Sequence, residues 1–353
     1  MIPVMFLPGV LVAFAILAAF SWVLVRHIGL ALLIALSPLP GFLLATFAMR
    51  HTPSVFAYLP GFIAAAFLGA AIAPLAANMP VRQAAWSSLQ DLWRVFLAIF
   101  VLFIPAFFAP SHFMGFLTEV SAILFTAVGA ILLRYDENFV VRINRAQETR
   151  LRESEWLAFL TMPRWGASIG GIVLVLSVLG FFAARRGISA MAAHPALSAA
   201  VAVLFLALVF FVARNVRRAV AAFLAAVPVV LLTAALSERF VFSPIGLSAP
   251  LVTAAIPILF IAAAGFRFER NGDEAATATQ RGIEKTGPSI AIVTFGAVLA
   301  ALFAGMITYP AILYAAALVL GGCAALILQP ALTTFLYALF PKRVSLDDAF
   351  RRR

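Results

Sequence analysis

Two segments of this chain follow one plan. Around Arg26 the sequence reads WVLVRHIGLALLIALSPLPGFLLATF, and around Arg214 it reads FFVARNVRRAVAAFLAAVPVVLLTAA. Each is an apolar run, an arginine-marked break, and a second apolar run containing a proline. Arg26 and Arg214 are 188 residues apart, as are Pro40 and Pro228 (214 − 26, 228 − 40). One helix needs about 20 mainly apolar residues to cross a bilayer. Lipid leaves helices and closed barrels as the only spanning structures, and these runs are too long and continuous for barrel strands. The pattern therefore implies an all-α polytopic membrane protein in two pseudo-repeated halves.

Composition agrees. The chain is 64% hydrophobic and 11% charged, with a mean hydropathy of +1.08. Soluble domains carry about 25% charged residues. The net charge of +11 suits basic loops that hold the cytoplasmic side and touch anionic lipid, and no nucleic-acid partner is expected. Cys323 is the single cysteine, so no intramolecular disulfide can form. The histidines at 27, 51, 112 and 194 are scattered singly, and no metal-ligand spacing occurs. No cofactor or metal is expected. The first charge is Arg26, so the basic region that opens a signal peptide is missing.

Eleven candidate spans follow, near 4–24, 28–48, 55–77, 95–110, 114–133, 167–184, 197–213, 219–236, 248–266, 288–306 and 312–336. The arginine-rich segments 134–164, 214–218, 267–285 and 342–353 all fall on one side of that array. The positive-inside rule makes that side cytoplasmic, with an outside N-terminus and an inside C-terminus. Segments 79–93 and 144–162 read as amphipathic helices lying on the membrane. The expected organisation is a first transmembrane half at 1–142, an amphipathic linker at 143–165, a second half of six helices at 166–340, and a basic tail at 341–353.

The segment FRFERNGDEAATATQRGIEKTGPSIAIVTFGAVLAALFAG, 266–305, resembles the stretch joining the fourth and fifth helices of a half in the resistance-nodulation-division (RND) superfamily, especially its MMPL branch. The matching positions are Arg267, Glu269, Arg270, Gly272, the alanine-rich turn at 275–278, and Gly287, which opens the next span in this pattern. LILQPALTTFLYALFPKR is similar to the family's sixth helix, and MPRWGASIGGIVLVL to the helix that opens its second half. The first half would match helices two to six, with helix one absent. The resemblance implies an RND-like bundle that moves a hydrophobic substrate. Two departures stand beside it. The large extracytoplasmic domain of the family is replaced by RRGISAMAAHP. The spans matching the proton-coupled fourth helices, LPGFIAAAFLGAAIAP and SAPLVTAAIPILFIAAAG, carry no ionisable residue.

An ionisable group inside a span is a functional candidate by default. Glu119, in FMGFLTEVSAILF, is one: either a carboxylate of raised pKa that binds a proton or cation, or a group that reaches the outer interface or contacts Arg50 or His112. Thr253 and Thr294 are further intramembrane polar candidates. Prolines such as Pro40 and Pro228 either line a site through broken helices or merely kink them. Gly321 and Gly322 read as close-packing positions. The mixed charges at 267–285 read as a solvated surface helix. No nucleotide loop, nucleophile motif or facing carboxylate pair occurs, and no enzymatic activity is expected.

The expected function is that of an RND/MMPL-type membrane transporter handling a lipid or other hydrophobic product for export at the bacterial inner membrane. The arginine-heavy basic content, two lysines among 25 basic residues, suits a GC-rich bacterial genome. Its partners would be membrane lipids, the substrate, and a periplasmic or membrane protein. The alternatives are a non-transporting scaffold or lipid-sensing subunit, and then a membrane-embedded transferase.

Overall fold

The computed structural model describes residues 7–25, 27–40, 163–184, 195–237, 244–305 and 309–340, with a few positions between 66 and 129. Arg26, Glu119, most of the 143–165 linker and the 341–353 tail lie outside the described residues. All regular structure among the described residues is helical.

In chain order the helices are α1 (Leu7–Val25), α2 (Ile28–Leu36), α3 (Pro163–Ala183), α4 (Pro195–Ala213), α5 (Val216–Ser237), α6 (Pro244–Arg270), α7 (Ala275–Gly305), α8 (Tyr309–Cys323) and α9 (Gln329–Leu339). A π-helical turn, Ala324–Leu328, joins α8 to α9. Proline is the first residue of α3, α4 and α6, where its fixed φ suits the first turn and its missing N–H has no partner to lose. In the π turn the Gln329 N–H reaches back to the Ala324 carbonyl. Pro330 follows and offers no N–H for an ordinary bond, which accounts for the widened turn there.

The 188-residue offset extends to the helix boundaries. α1 and α4 are both 19 residues long. Their first residues, Leu7 and Pro195, and their last, Val25 and Ala213, are each 188 apart (195 − 7, 213 − 25). The breaks are closed alike. Leu30 donates its backbone N–H to His27 Nδ1 at 3.2 Å, capping α2. Arg217 donates to Asn215 Oδ1 at 3.0 Å, capping α5. His27 and Asn215 are again 188 apart (215 − 27). Each cap satisfies a helix-end N–H that has no partner within the helix. Beyond the break the copies differ. α2 ends in a turn at Ser37–Pro38, whereas α5 runs unbroken through Pro228, which is buried.

α6 sits at the centre, with Ile256, Ile258, Leu259, Phe260 and Ile261 almost wholly buried. It packs against α4, α5, α7 and α8, while α7 also packs along α1. Leu17, Leu30 and Ile34 from the first segment and Ile258, Phe260 and Ile290 from the second belong to one apolar core. The Ser289 hydroxyl of α7 donates to the Ala70 carbonyl at 3.0 Å, a further tie between early and late segments.

Much of the exterior is apolar too. On α3, Ile172, Leu174, Val175, Leu179 and Phe182 are exposed, as are Val203 and Phe210 on α4. Helices apolar all round belong inside a large core or in lipid, and contiguous exposed patches of this kind are foreign to water-facing monomers. Among the described residues two helices, Val216–Leu236 and Ala315–Leu339, are long and apolar enough to cross a membrane.

Candidate functional site

Four helix ends meet at one end of the bundle around a buried ion pair. Arg218 lies in the first turn of α5, on the face it shares with Ala222 and Ala225, so α5 turns it inward. Its residue exposure is 2%. Its Nε donates to Glu269 Oε2 at 2.8 Å, from the start of α5 to the end of α6. Its Nη1 donates to Thr279 Oγ1 at 3.1 Å and its Nη2 to the Ala275 carbonyl at 3.3 Å, both on the first turns of α7.

The Glu269 carboxylate is equally enclosed. Asn215 donates Nδ2 to Oε1 at 3.0 Å, and the Tyr337 hydroxyl of α9 lies 2.7 Å from both oxygens. Asn215 Nδ2 also donates to Tyr337 Oη at 2.6 Å. The residue that caps α5 through its oxygen thus builds the cluster through its nitrogen. Arg217 and Arg218 lie over the Tyr337 ring at 5.1 and 5.8 Å, both cation–π contacts. Donors from three residues converge on the carboxylate, and the guanidinium supplies the opposite charge through a charge-assisted hydrogen bond. The arrangement therefore clasps α5, α6, α7 and α9 together.

Glycine makes the clasp sterically feasible. A Cβ on Gly265 would collide with Arg218 Nη1, so only glycine lets the guanidinium lie flat across α6. A Cβ on Gly282 of α7 would stand 3.0 Å from the Gly265 nitrogen, so two backbones touch at that crossing.

Glu269 is inside the clasp, its side chain 9% exposed, and is not part of a solvated face. The solvated reading describes Asp273 and Arg281 instead, which form a surface pair at 2.9 Å. Arg270 is exposed at the end of α6, and Arg267 is half-buried. Gly272, at φ +101, makes the turn into α7 in a conformation that favours glycine. Gly287 lies inside α7 and does not open it: the amphipathic stretch and the span are one helix of 31 residues, with Pro288 in its interior. Arg214, at φ 50, forms the break between α4 and α5. Pro40 is half-buried just beyond the turn that ends α2.

Thr253 and Thr294 come to one crossing deeper in the bundle. Gly321 of α8 abuts the carbonyl of Ala254, and Gly322 faces Thr294 Oγ1, where a Cβ would stand 2.9 Å away. Thr253 is 0% exposed and Thr294 5%. Thr294 Oγ1 and Gln329 Oε1, the latter beside the π turn, are buried without a hydrogen-bond partner. Among the described residues no group of His, Cys, Asp and Glu could hold a metal ion.

Asn215, Arg218, Thr279, Tyr337 and Gln329 were not singled out by sequence reading. Two signals point to them. Arg218 falls at helical spacing with the small residues Ala222 and Ala225, the buried stripe of α5. Gln329, Thr333 and Tyr337 recur every four residues along a helix with one other polar residue, Thr334, and form a polar stripe on one face.

No protein-family profile and no curated protein matches this chain. Among solved structures, SecDF in its super-membrane-facing form is similar over 93% of this chain, at 11% identity and a TM-score of 0.45. The chain spans 60% of the length of that protein.

Proposed function

We propose that the chain is an RND/MMPL-type membrane protein of the bacterial inner membrane, with about eleven spans in two related halves, that moves or handles a lipid or other hydrophobic product. The observation that carries the reading is the duplicated helix–break–helix unit, whose helix boundaries and caps recur at one spacing inside a bundle with an apolar exterior. Transporters are commonly built from such repeats, with the substrate path at their interface. The motif at 266–305 adds the family resemblance. In this reading Glu119 is the membrane carboxylate, the N-terminus lies outside, and the clasp is at the cytoplasmic end.

A second reading, a non-transporting scaffold or lipid-sensing subunit, is favoured by one specific feature. α6, the span that would carry a coupling acid, has no ionisable residue before its last turn, and Glu269 there is fully engaged by Arg218, Asn215 and Tyr337.

Reconstituted proteoliposomes separate the two. Movement of a fluorescent phospholipid between leaflets, followed by quenching from outside, should be faster than in protein-free vesicles, and slower with Glu119→Gln. A wild-type rate equal to that of empty vesicles, with and without an imposed proton gradient, would exclude transport of that lipid and leave the scaffold reading.

A further inference from the structure

The π turn between α8 and α9 frees more acceptors than it supplies donors. Gln329 donates its backbone N–H to the Ala324 carbonyl, one residue beyond Ala325, its ordinary helical partner. The next residue, Pro330, has no N–H to give to Leu326. Two successive carbonyls, those of Ala325 and Leu326, thus lose their helical donors. Ala325 is 0% exposed, so the first of them lies inside the bundle. A third acceptor belongs to the same turn. Gln329 is 2% exposed, and its Oε1 is buried without a hydrogen-bond partner. Helical side chains tilt toward the N-terminus and cover the preceding turn, whereas helical carbonyls point toward the C-terminus. The Gln329 side chain therefore covers the turn that holds the two freed carbonyls.

The hydroxyls along this seam are spent elsewhere. On α7, Thr286 donates to the Gly282 carbonyl and Ser289 to that of Ala70. On α9, Thr333 donates to the Gln329 carbonyl and Thr334 to those of Pro330 and Ala331. Between Thr286 and Ser289, Gly287 faces the π turn without a side chain. A Cβ there would meet Leu326 Cδ2 only at 3.7 Å, so the two helices are not close-packed at this level. Buried acceptors left unpaired are costly, and ordered water is the usual remedy, typically with about three polar partners. A cation suits the turn less well. The π turn, α8 and α9 carry no acidic residue, and burying an ion without a counter-charge costs more than leaving neutral acceptors unpaired.

We propose that the Ala325 and Leu326 carbonyls and Gln329 Oε1 form a binding site for a buried water molecule at the π turn. Its two O–H groups replace the donors that the widened turn and Pro330 remove, so the chain passes from α8 to α9 inside the bundle with its polar groups paired. The site is built from one helical segment and does not depend on the transport reading.

The test is radiolytic footprinting of the full chain in lipid nanodiscs, in heavy-oxygen water, read by mass spectrometry. Hydroxyl radicals formed from a bound water oxidise the side chains around it and leave the heavy oxygen on them. Leu326 and Pro330 should take up label well above Leu259 and Phe260, which are wholly buried in α6. Gln329→Met keeps the length of the side chain and removes the amide, so label at Leu326 and Pro330 should fall to the Phe260 level. Pro330→Ala returns an N–H to the Leu326 carbonyl and should lower the label at Leu326, which carries the test if Gln329→Met fails to fold. Thr333→Val removes a hydroxyl already bonded within α9 and should leave the label unchanged. Wild-type label at Leu326 and Pro330 no higher than at Phe260, label that survives Gln329→Met, or an equal loss with Thr333→Val overturns the proposal. So does label that is lost when sodium replaces choline in the buffer, which would mark the site as one for an ion.

Discussion

Replacing Arg218 with methionine leaves the Glu269 carboxylate buried without its cation, and replacing Glu269 with leucine leaves the guanidinium buried instead. Their side chains are 3% and 9% exposed, so water cannot fully take over either role. Removing one partner of a buried pair costs about 3–5 kcal/mol, whereas replacing both with apolar groups of similar size is often close to neutral. Here the lower end applies. Glu269 keeps Tyr337 and Asn215, and Arg218 keeps Thr279 and the Ala275 carbonyl. Each single variant should therefore lose about 3 kcal/mol. Arg218→Met/Glu269→Leu should lose less than either single variant, because Asn215 and Tyr337 still bond to each other. The assay is reversible unfolding of the four proteins in mixed micelles, with helicity as the signal. Additive costs, with the double variant equal to the sum of the singles within about 0.5 kcal/mol, would refute the clasp as an energetic unit.

Two further predictions concern the interior. Gly321→Ala drives a methyl group into the Ala254 carbonyl and should cost about 1–3 kcal/mol. Gly287→Ala meets nothing nearer than 3.5 Å and should be neutral or stabilising by up to about 1 kcal/mol through helix propensity; thermal unfolding in one detergent compares the two. Thr294→Val removes a buried hydroxyl that has no partner, so it should be neutral or mildly stabilising. A marked loss of stability in the same melt would mean that the hydroxyl is engaged in the native protein.

Much of the fold was legible because membrane helices are written in one variable. Apolar runs predicted at 197–213 and 219–236 became α4 (Pro195–Ala213) and α5 (Val216–Ser237), because each run must satisfy its own backbone in lipid. The break at Arg214 was legible for the same reason: two runs of this length cannot form one spanning helix. The clasp was less so. Arg218 and Glu269 are 51 residues apart, and nothing local to either says that they meet. Arginines at a helix end are normally solvated, and in the repeat Arg214 aligns with Arg26 whereas Arg218 aligns with Leu30. Only the alanine stripe of α5 hinted that position 218 turns inward.

By itself the sequence determined that the chain is helical, where several helices begin and end, and that one helix–break–helix unit recurs at a spacing of 188 residues. Hydropathy, proline and capping side chains act within a few residues, so these features need no neighbours to be read. The tertiary structure alone decided which charges pair. Crossing helices at Gly265 and Gly282 brings Thr279 and Ala275 to Arg218 and commits Glu269 to the clasp. The same packing sets Arg94 against the rings of Trp93 and Phe211. Electrostatic energy depends on distance and burial, and both are properties of the packed bundle and not of the order of residues along the chain.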